Sequence, residues 1–359
     1  MGKLTGSDVS VTERSVRGKF RYTRIEEAMP DPGSGRKGQV LALWITGRGQ
    51  SELRAAPEPR LNAGEARIRT LWSGISRGTE RLVYGGHVPA SEYERMTGPL
   101  QEGTFPFPVK YGYCAVGIVE EGPEDLMGRA VFALHPHQDR FTAPVDMLAR
   151  VPDSIPARRA VLAANMETAL NALWDAGCGP ADRVVVVGGG IIGLLVAHLA
   201  GRLPGTDVTL VDVDPERREV AQALGIRFAL PPDTPTEADL VFHTSASAAG
   251  LDLSLSCAGI EASIVEMSWY GDRAVNIALG GAFHSKRLRL IASQVGQVAL
   301  SRRMRWTHGR RLEAAMALLD DPRLDTLVAE DVRFEDLPSA LPSILSPNAK
   351  GLPPVVRYP

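Results

Sequence analysis

Apolar and polar positions begin to alternate at Gln39-Val40-Leu41-Ala42-Leu43-Trp44. The alternation is clearest in Glu65-Ala66-Arg67-Ile68-Arg69-Thr70-Leu71-Trp72. A period of two predicts half-buried strands, with one face on a core and the other toward solvent. Residues 115–120 and 130–134 continue the series. Gly and Pro punctuate these short strands, which predicts a partly open β-barrel.

Near residue 155 the pattern changes. Residues 158–176 read as a helix, Arg183–Val187 as a strand, 191–202 as an apolar helix, 207–212 as a strand and 215–224 as a charged helix. Residues 239–243 and 262–267 read as further strands. Strands alternating with helices predict βαβ units and a parallel sheet. Residues 310–320 form an amphipathic helix with Leu312, Ala315, Met316 and Leu319 on one face. Residues 353–358 read as a strand that returns to the first domain. The expected fold class is therefore α/β, a partly open β-barrel domain joined to a doubly wound parallel-sheet domain. Residues 1–36 read as an N-terminal extension, residues 37–154 and 300–359 as the barrel domain, and residues 155–299 as the parallel-sheet domain.

Composition narrows the function classes. The 359 residues carry 40 Lys plus Arg against 42 Asp plus Glu, a formal charge of −2, which offers no footprint for nucleic acid or an anionic membrane. Apolar runs are too short for a bilayer span, and the N-terminus lacks the apolar core of a secretory signal. Three scattered cysteines, Cys114, Cys178 and Cys257, make a disulfide framework or a Cys-rich zinc lobe unexpected, so a reduced, cytoplasmic protein is expected.

The most specific motif is Val184-Val185-Val186-Val187-Gly188-Gly189-Gly190-Ile191-Ile192-Gly193, a strand that runs through a glycine turn into a helix. Gly188 permits the tight turn, Gly190 the close approach of a pyrophosphate, and Gly193 the packing of helix on strand. The helix N-terminus at Ile191 and Ile192 offers free N–H groups to an anion. Asp212 ends the next strand, about 20 residues on, where a carboxylate accepts ribose hydroxyls and repels a 2′-phosphate. This Rossmann unit points to NAD, with NADP the lesser alternative. Arg217 and Arg218 are placed to line the adenosine site, and Thr168 and Ser245 are counted as further cofactor contacts. The plain alternative for Asp212 is a cap on the helix that follows.

Three stretches together resemble the medium-chain dehydrogenase/reductase family over roughly residues 37–359. They are Ser73-Gly74-Ile75-Ser76-Arg77-Gly78-Thr79-Glu80, Val109-Lys110-Tyr111-Gly112-Tyr113-Cys114-Ala115-Val116-Gly117, and the glycine fingerprint. The first is similar to the branch containing the bacteriochlorophyllide hydroxyethyl dehydrogenases. Ser268-Trp269-Tyr270-Gly271 and Ala282-Phe283-His284-Ser285 are similar to bacterial members labelled zinc-type alcohol dehydrogenases. The resemblance implies a GroES-like catalytic barrel, a Rossmann domain and a homodimer joined near residues 288–298. It also marks a departure. The three catalytic zinc ligands of such relatives fall here on Ser76 or Arg77, on Tyr113, and on Ala164 or Asn165, so no zinc is expected.

Without a metal, hydrogen-bond donors must manage the charge on a reacting oxygen. The resemblance places Thr79 at a proton-relaying hydroxyl, with Glu80 beside it, Tyr113 in a vacated ligand position, and Glu167 at the interdomain hinge. Each has a structural alternative: a turn hydrogen bond for Thr79, an ion pair with an arginine such as Arg77 for Glu80, core packing for Tyr113, and a helix-start carboxylate for Glu167. His137, in His135-Pro136-His137-Gln138, is a candidate acid–base group. Ser76, His284 and an aromatic wall of Tyr84, Trp269 and Tyr270 are candidate substrate contacts; for the aromatic residues core packing is the alternative.

The leading expectation is zinc-independent, NAD-dependent interconversion of an alcohol and a ketone or aldehyde on a small to medium substrate. An NADPH-dependent enoyl- or quinone-type double-bond reductase is the first alternative. A non-redox enzyme with tightly held NAD, or a cofactor-binding regulatory protein, is the second.

Overall fold

The computed structural model describes residues 38–359, and the extension expected over residues 1–36 lies outside them. The β-rich first half supplies β1 (Gln39–Gly47), β2 (Gln50–Pro57), β3 (Glu65–Gly74), β4 (Glu102–Gly103), β5 (Val109–Lys110), β6 (Ala115–Glu121), β7 (Ala130–Ala133), β8 (Arg140–Pro144) and β9 (Leu148–Arg150). The alternation in β3 is realised, with Ala66 and Ile68 fully buried between half-exposed neighbours. β3 is the axis of this half and pairs antiparallel with β6 and β8. Gly117 of β6 permits the closest approach, because a Cβ there would lie 2.3 Å from the carbonyl oxygen of Arg69.

The second half supplies β10 (Arg183–Val187), β11 (Asp207–Val211), β12 (Arg227–Ala229), β13 (Ala238–His243), β14 (Ala258–Glu266) and β15 (Arg289–Ala292). Its sheet runs β12-β11-β10-β13-β14-β15, parallel throughout. Val184 to Val187 are buried as a continuous run, as expected for a central strand covered on both faces. The carboxyl ends align in register: Val211, Val187, His243, Glu266 and Ala292 form one row across five strands. Strand order reverses between β10 and β13, and ligands of such sheets bind in the crevice at that point.

The helices in chain order are α1 (Arg77–Tyr84), α2 (Ala157–Ala160), α3 (Ala163–Ala176), α4 (Ile191–Ala200), α5 (Arg217–Ala223), α6 (Ala248–Cys257), α7 (His308–Ala317) and α8 (Leu337–Ile344). After the sheet come β16 (Asp331–Arg333) and β17 (Val355–Arg357). β17 pairs antiparallel with β3, so the closing strand does return to the first half. The result is a two-domain α/β fold with a β-rich lobe and a Rossmann-like parallel sheet.

Two differences from the sequence-based expectations are visible. The single helix expected over 158–176 is two, α2 and α3; Arg159 of α2 is buried and paired with Asp325 through two bonds of 2.7 Å, while α3 packs on α4 and α7. The apolar face of α7 is present in Ala315 and Met316, with Leu319 just beyond the helix, but α7 also buries the guanidinium of Arg311 at 2% exposure.

Candidate active site

The glycine turn is built as its spacing requires. Gly188 has φ +113° and lies against Thr244 and Ser245, where a Cβ would come within 2.7 Å of Thr244 Oγ1. A Cβ on Gly193 would lie 1.9 Å from the Gly188 carbonyl oxygen. A Cβ on Gly190, the N-cap of α4, would meet nothing within 4 Å, so its face is open. The first turn of α4, which contains Ile191 and Ile192, has no side-chain cap. These features form a cradle of open backbone and helix N-terminus suited to a pyrophosphate.

Asp212 follows β11. Its carboxylate accepts the Gly189 N–H at 2.5 Å and the Asp214 N–H at 2.8 Å. It therefore braces the glycine turn and also closes the turn into α5. Arg217 donates to the Gly351 carbonyl at 2.8 Å and lies 3.6 Å from Asp214. Arg77 donates to the same carbonyl at 2.6 Å and to the Ile344 carbonyl at 3.0 Å. Burial, with Arg217 and Arg81 nearby, lowers the Arg77 guanidinium to about 10. Arg218 instead stacks over the Phe228 ring.

The β-rich lobe presents Ser76, Thr79 and Tyr113 around the start of α1. Tyr113 Oη donates toward Thr79 Oγ1 at 3.4 Å, and its ring packs against the hydrophobic clusters of both lobes. Burial raises the Tyr113 phenol well above its ordinary range, so it stays protonated and remains a donor. Beneath them lies a buried polar chain. Glu80 Oε1 accepts the Ser76 N–H at 2.7 Å, Glu80 Oε2 lies 3.2 Å from His137 Nε2, and His137 Nδ1 lies 2.7 Å from Ser73 Oγ. Ser73 Oγ is in turn 3.0 Å from Tyr358 Oη, next to β17. The arginine expected as the structural partner of Glu80, such as Arg77, is not there. The structure corrects this to His137, because Arg77 points away to backbone carbonyls on the other side.

Other expected residues are held as follows. Glu167 is buried and paired with Arg311 at 2.9 Å. Arg311 also donates to Asn171 and to the carbonyls of Val295 and Gln297. Burial raises the Glu167 carboxyl more than Arg311 lowers it. Thr168 donates to the Ala164 carbonyl of its own helix at 2.9 Å. Tyr84 sits in the β-lobe core with its hydroxyl on the Gly49 carbonyl at 2.6 Å, rather than on an open wall. Trp269 packs against that same β-lobe cluster. His284 is exposed after the helical turn Leu279–Phe283.

A second polar chain, unexpected from the sequence apart from Ser245 and Tyr270, lies at the carboxyl ends of β13 and β14. His243 Nδ1 is 2.8 Å from Glu266 Oε2, and His243 Nε2 is 2.7 Å from Ser245 Oγ. Tyr270 Oη donates to Glu266 Oε2 at 3.1 Å, and the Ser268 N–H donates to Glu266 Oε1 at 2.8 Å. In the sequence, His243 merely follows the apolar run Leu240-Val241-Phe242. Among the described residues, no group of three or more His, Cys, Asp or Glu is arranged to hold a metal ion.

Comparison with known proteins follows the same lines. No protein-family model matches the chain. Over 207 residues it is 27% identical to a zinc-type alcohol dehydrogenase-like protein of Haemophilus influenzae, covering 56% of this chain and 59% of that one. Over 235 residues it is 23% identical to (R,R)-butanediol dehydrogenase of Bacillus subtilis, covering 56% and 66%. The matches thus span less than two thirds of these curated relatives. In solved structures, a short chain alcohol dehydrogenase from Escherichia coli complexed with NADH superposes with a TM-score of 0.72 at 16% identity, covering 89% of this chain and all of that one. The Bacillus subtilis 2R,3R-butanediol dehydrogenase superposes with a TM-score of 0.70 at 18% identity, covering 89% and 99%. The chain shares the fold of these alcohol dehydrogenases. Within this alcohol dehydrogenase fold, the glycine turn and Asp212 stand in the parallel-sheet lobe, and Ser76, Thr79 and Tyr113 in the β-rich lobe.

Proposed function

We propose that this chain is a nicotinamide-dependent oxidoreductase that interconverts an alcohol and a ketone or aldehyde without a catalytic zinc, and that it prefers NAD(H). Asp212 carries the cofactor reading. Its carboxylate, fixed by Gly189 beside the open face of Gly190, presents an acceptor for a ribose diol and a negative charge against a 2′-phosphate. The curated relatives named above are alcohol dehydrogenase-type proteins, which supports the reaction class. Structures of this fold were solved with NADH and with NADP, so the preference rests on Asp212 alone.

The donor set does not suit zinc. Ser76 or Arg77, Tyr113, and Ala164 or Asn165 stand where the resemblance expects ligands, and hydroxyl, guanidinium, phenol, methyl and amide groups are poor zinc donors beside thiolate and imidazole. The Tyr113–Thr79 hydroxyl pair takes over the polarising role. Tyr113, kept protonated by burial, donates to Thr79, which leaves the Thr79 hydroxyl proton for a substrate oxygen in the cleft. A nicotinamide ring bound in the cleft would supply the hydride donor or acceptor. In this reading residues 37–154 and 300–359 form the catalytic domain and residues 155–299 the cofactor domain. A homodimer through the exposed edge strand β15 belongs to the same proposal.

Titration of chelator-treated protein with NADH and with NADPH, followed by a screen of alcohols and vicinal diols, tests this reading. Tight NADH binding and chelator-resistant turnover are expected. A preference for NADPH would move the double-bond reductase to first place, and a stoichiometric bound zinc would overturn the metal-free site. Thr79→Val is expected to lower turnover more than NADH affinity.

A further inference from the structure

The parallel sheet divides at its switch point into two similar halves, β10-β11-β12 and β13-β14-β15. In the first half the acid at the second strand's end is Asp212, which holds the turn after β10. In the second half the corresponding acid is Glu266, but it faces a histidine. Val187, His243 and Glu266 are register neighbours, so the His243 and Glu266 side chains emerge side by side.

The contacts pair each group with its neighbour, and the ionised Glu266 sets where the proton directions start. Burial alone would raise Glu266, but His243 and Ser268 together hold it below the usual carboxylate range, so it is an acceptor. Its partner, His243 Nδ1, therefore carries a ring proton. If that is the ring's one proton, His243 Nε2 is the acceptor and the Ser245 hydroxyl donates inward to it. Ser245 then has no proton left for Ser247, so the Ser247 hydroxyl donates to Ser245 Oγ at 2.9 Å while accepting the Gly250 N–H. One lone pair of Ser245 is left. His243 is fully buried, whereas Ser245 is partly exposed, and Ser245 abuts Gly188 at the switch point. Gly250 makes room for the arrangement, since a Cβ there would lie 2.1 Å from Ser245 Oγ and 2.9 Å from His243 Nε2.

We propose that His243 and Glu266 are positioning residues that lock the Ser245 hydroxyl as an outward hydrogen-bond acceptor for a sugar hydroxyl on the nicotinamide side of the bound dinucleotide. This rests on the cofactor reading above. An acceptor locked in this way favours a hydroxyl donor and disfavours a carboxylate or phosphate at the same point.

Glu266→Gln tests the lock without deleting a side chain. The amide still accepts the Ser268 N–H, but its NH2 now faces His243 Nδ1. The ring proton then moves to Nε2, and the Ser245 proton is freed outward. Two readouts follow. Nitrogen-15 NMR of histidine-labelled protein, with His243 assigned by His243→Gln, is expected to give a protonated Nδ1 in the wild type and a protonated Nε2 in Glu266→Gln. NADH titration is expected to weaken about ten-fold in Glu266→Gln and about three-fold in Ser245→Ala, the range of one hydrogen bond reversed or lost. The double variant should be no weaker than Ser245→Ala alone. A Glu266→Gln loss that persists undiminished in the Ser245→Ala background would overturn the proposal, as would a wild-type His243 protonated on Nε2. Normal NADH binding with no response to Ser245→Ala overturns the lock and leaves the cofactor reading standing. Wild-type protein that binds neither NADH nor NADPH overturns both.

Discussion

Each lobe holds a serine, a histidine and a glutamate in one hydrogen-bonded line, yet the two lines do different work. In the β-rich lobe, Ser73, His137 and Glu80 are at most 4% exposed, and the line ends inward on Tyr358 and on the Ser76 backbone. It ties together β3, the start of α1 and the chain end, and has no face for a ligand. At the carboxyl ends of β13 and β14, His243 joins the same residue types through the opposite ring nitrogens, and Ser245 is partly exposed at the switch point. The same three residue types thus serve as a structural clamp where all members are enclosed and as a presented acceptor where one is not. Burial of the terminal member, rather than residue type, separates the two roles.

Stability gives the hardest test of this contrast. His137→Phe leaves Glu80 without its buried side-chain partner and should cost about 2 kcal/mol in urea unfolding, the scale of a buried polar group left unsatisfied. Glu266→Gln should cost under about 1 kcal/mol, because its amide keeps partners at every position. Comparable losses would erase the distinction between clamp and acceptor.

Acid titration of the clamp region should show an effect at least as large, spread over several pH units. His135, beside His137 and stacked on Phe141 at 3.8 Å, is lowered by burial to about 3 from 6.5. Above pH 6.5 it is neutral whether folded or unfolded. Below that only the unfolded chain takes the proton, so stability falls by about 1.4 kcal/mol per pH unit until about pH 3. His135→Gln should flatten that limb in pH-dependent denaturation, and an unchanged slope would remove His135 as its source.

Cofactor binding is expected to respond on the sheet side only. Asp212→Ala should weaken NADH about ten-fold, the loss of one or two charge-assisted bonds, measured by fluorescence titration. The smallest effect is expected from Ser73→Ala, about 1 kcal/mol of stability with NADH affinity unchanged. A change in NADH affinity in that variant would connect the clamp to the cleft.

Much of the fold is legible in the sequence because its signals are local. The alternation of β3, the valine run of β10 and the glycine turn each report the environment of neighbouring residues. Strands β2, β8, β9, β12, β15 and β16 do not stand out in the sequence, nor do α6 and α8. Most of these strands are short or exposed, with too few residues to establish a period. Of the candidate site, the glycines and Asp212 are legible because only such residues permit that turn. Thr79, Tyr113, Glu80 and His137 are legible as candidates but not as partners. His243, Glu266 and Arg311 do not stand out, since a single polar residue in an apolar segment carries no periodic signature.

The sequence by itself determined the change from alternating strands to a strand–helix pattern, the place of the nucleotide-type turn and the absence of the usual zinc donors from their expected places. All of these depend on side-chain pattern or on backbone freedom within a few residues. Only the tertiary structure decided which polar groups meet. Glu80 reaches His137 across 57 positions, Glu167 reaches Arg311 across 144, and Ser73 reaches Tyr358 across 285. A hydrogen bond fixes its partner within about 3 Å, and only the packing of sheets and helices brings such distant groups to that range. The same packing buries Ser73 and leaves Ser245 partly exposed, which is why two like sets of residues play unlike parts.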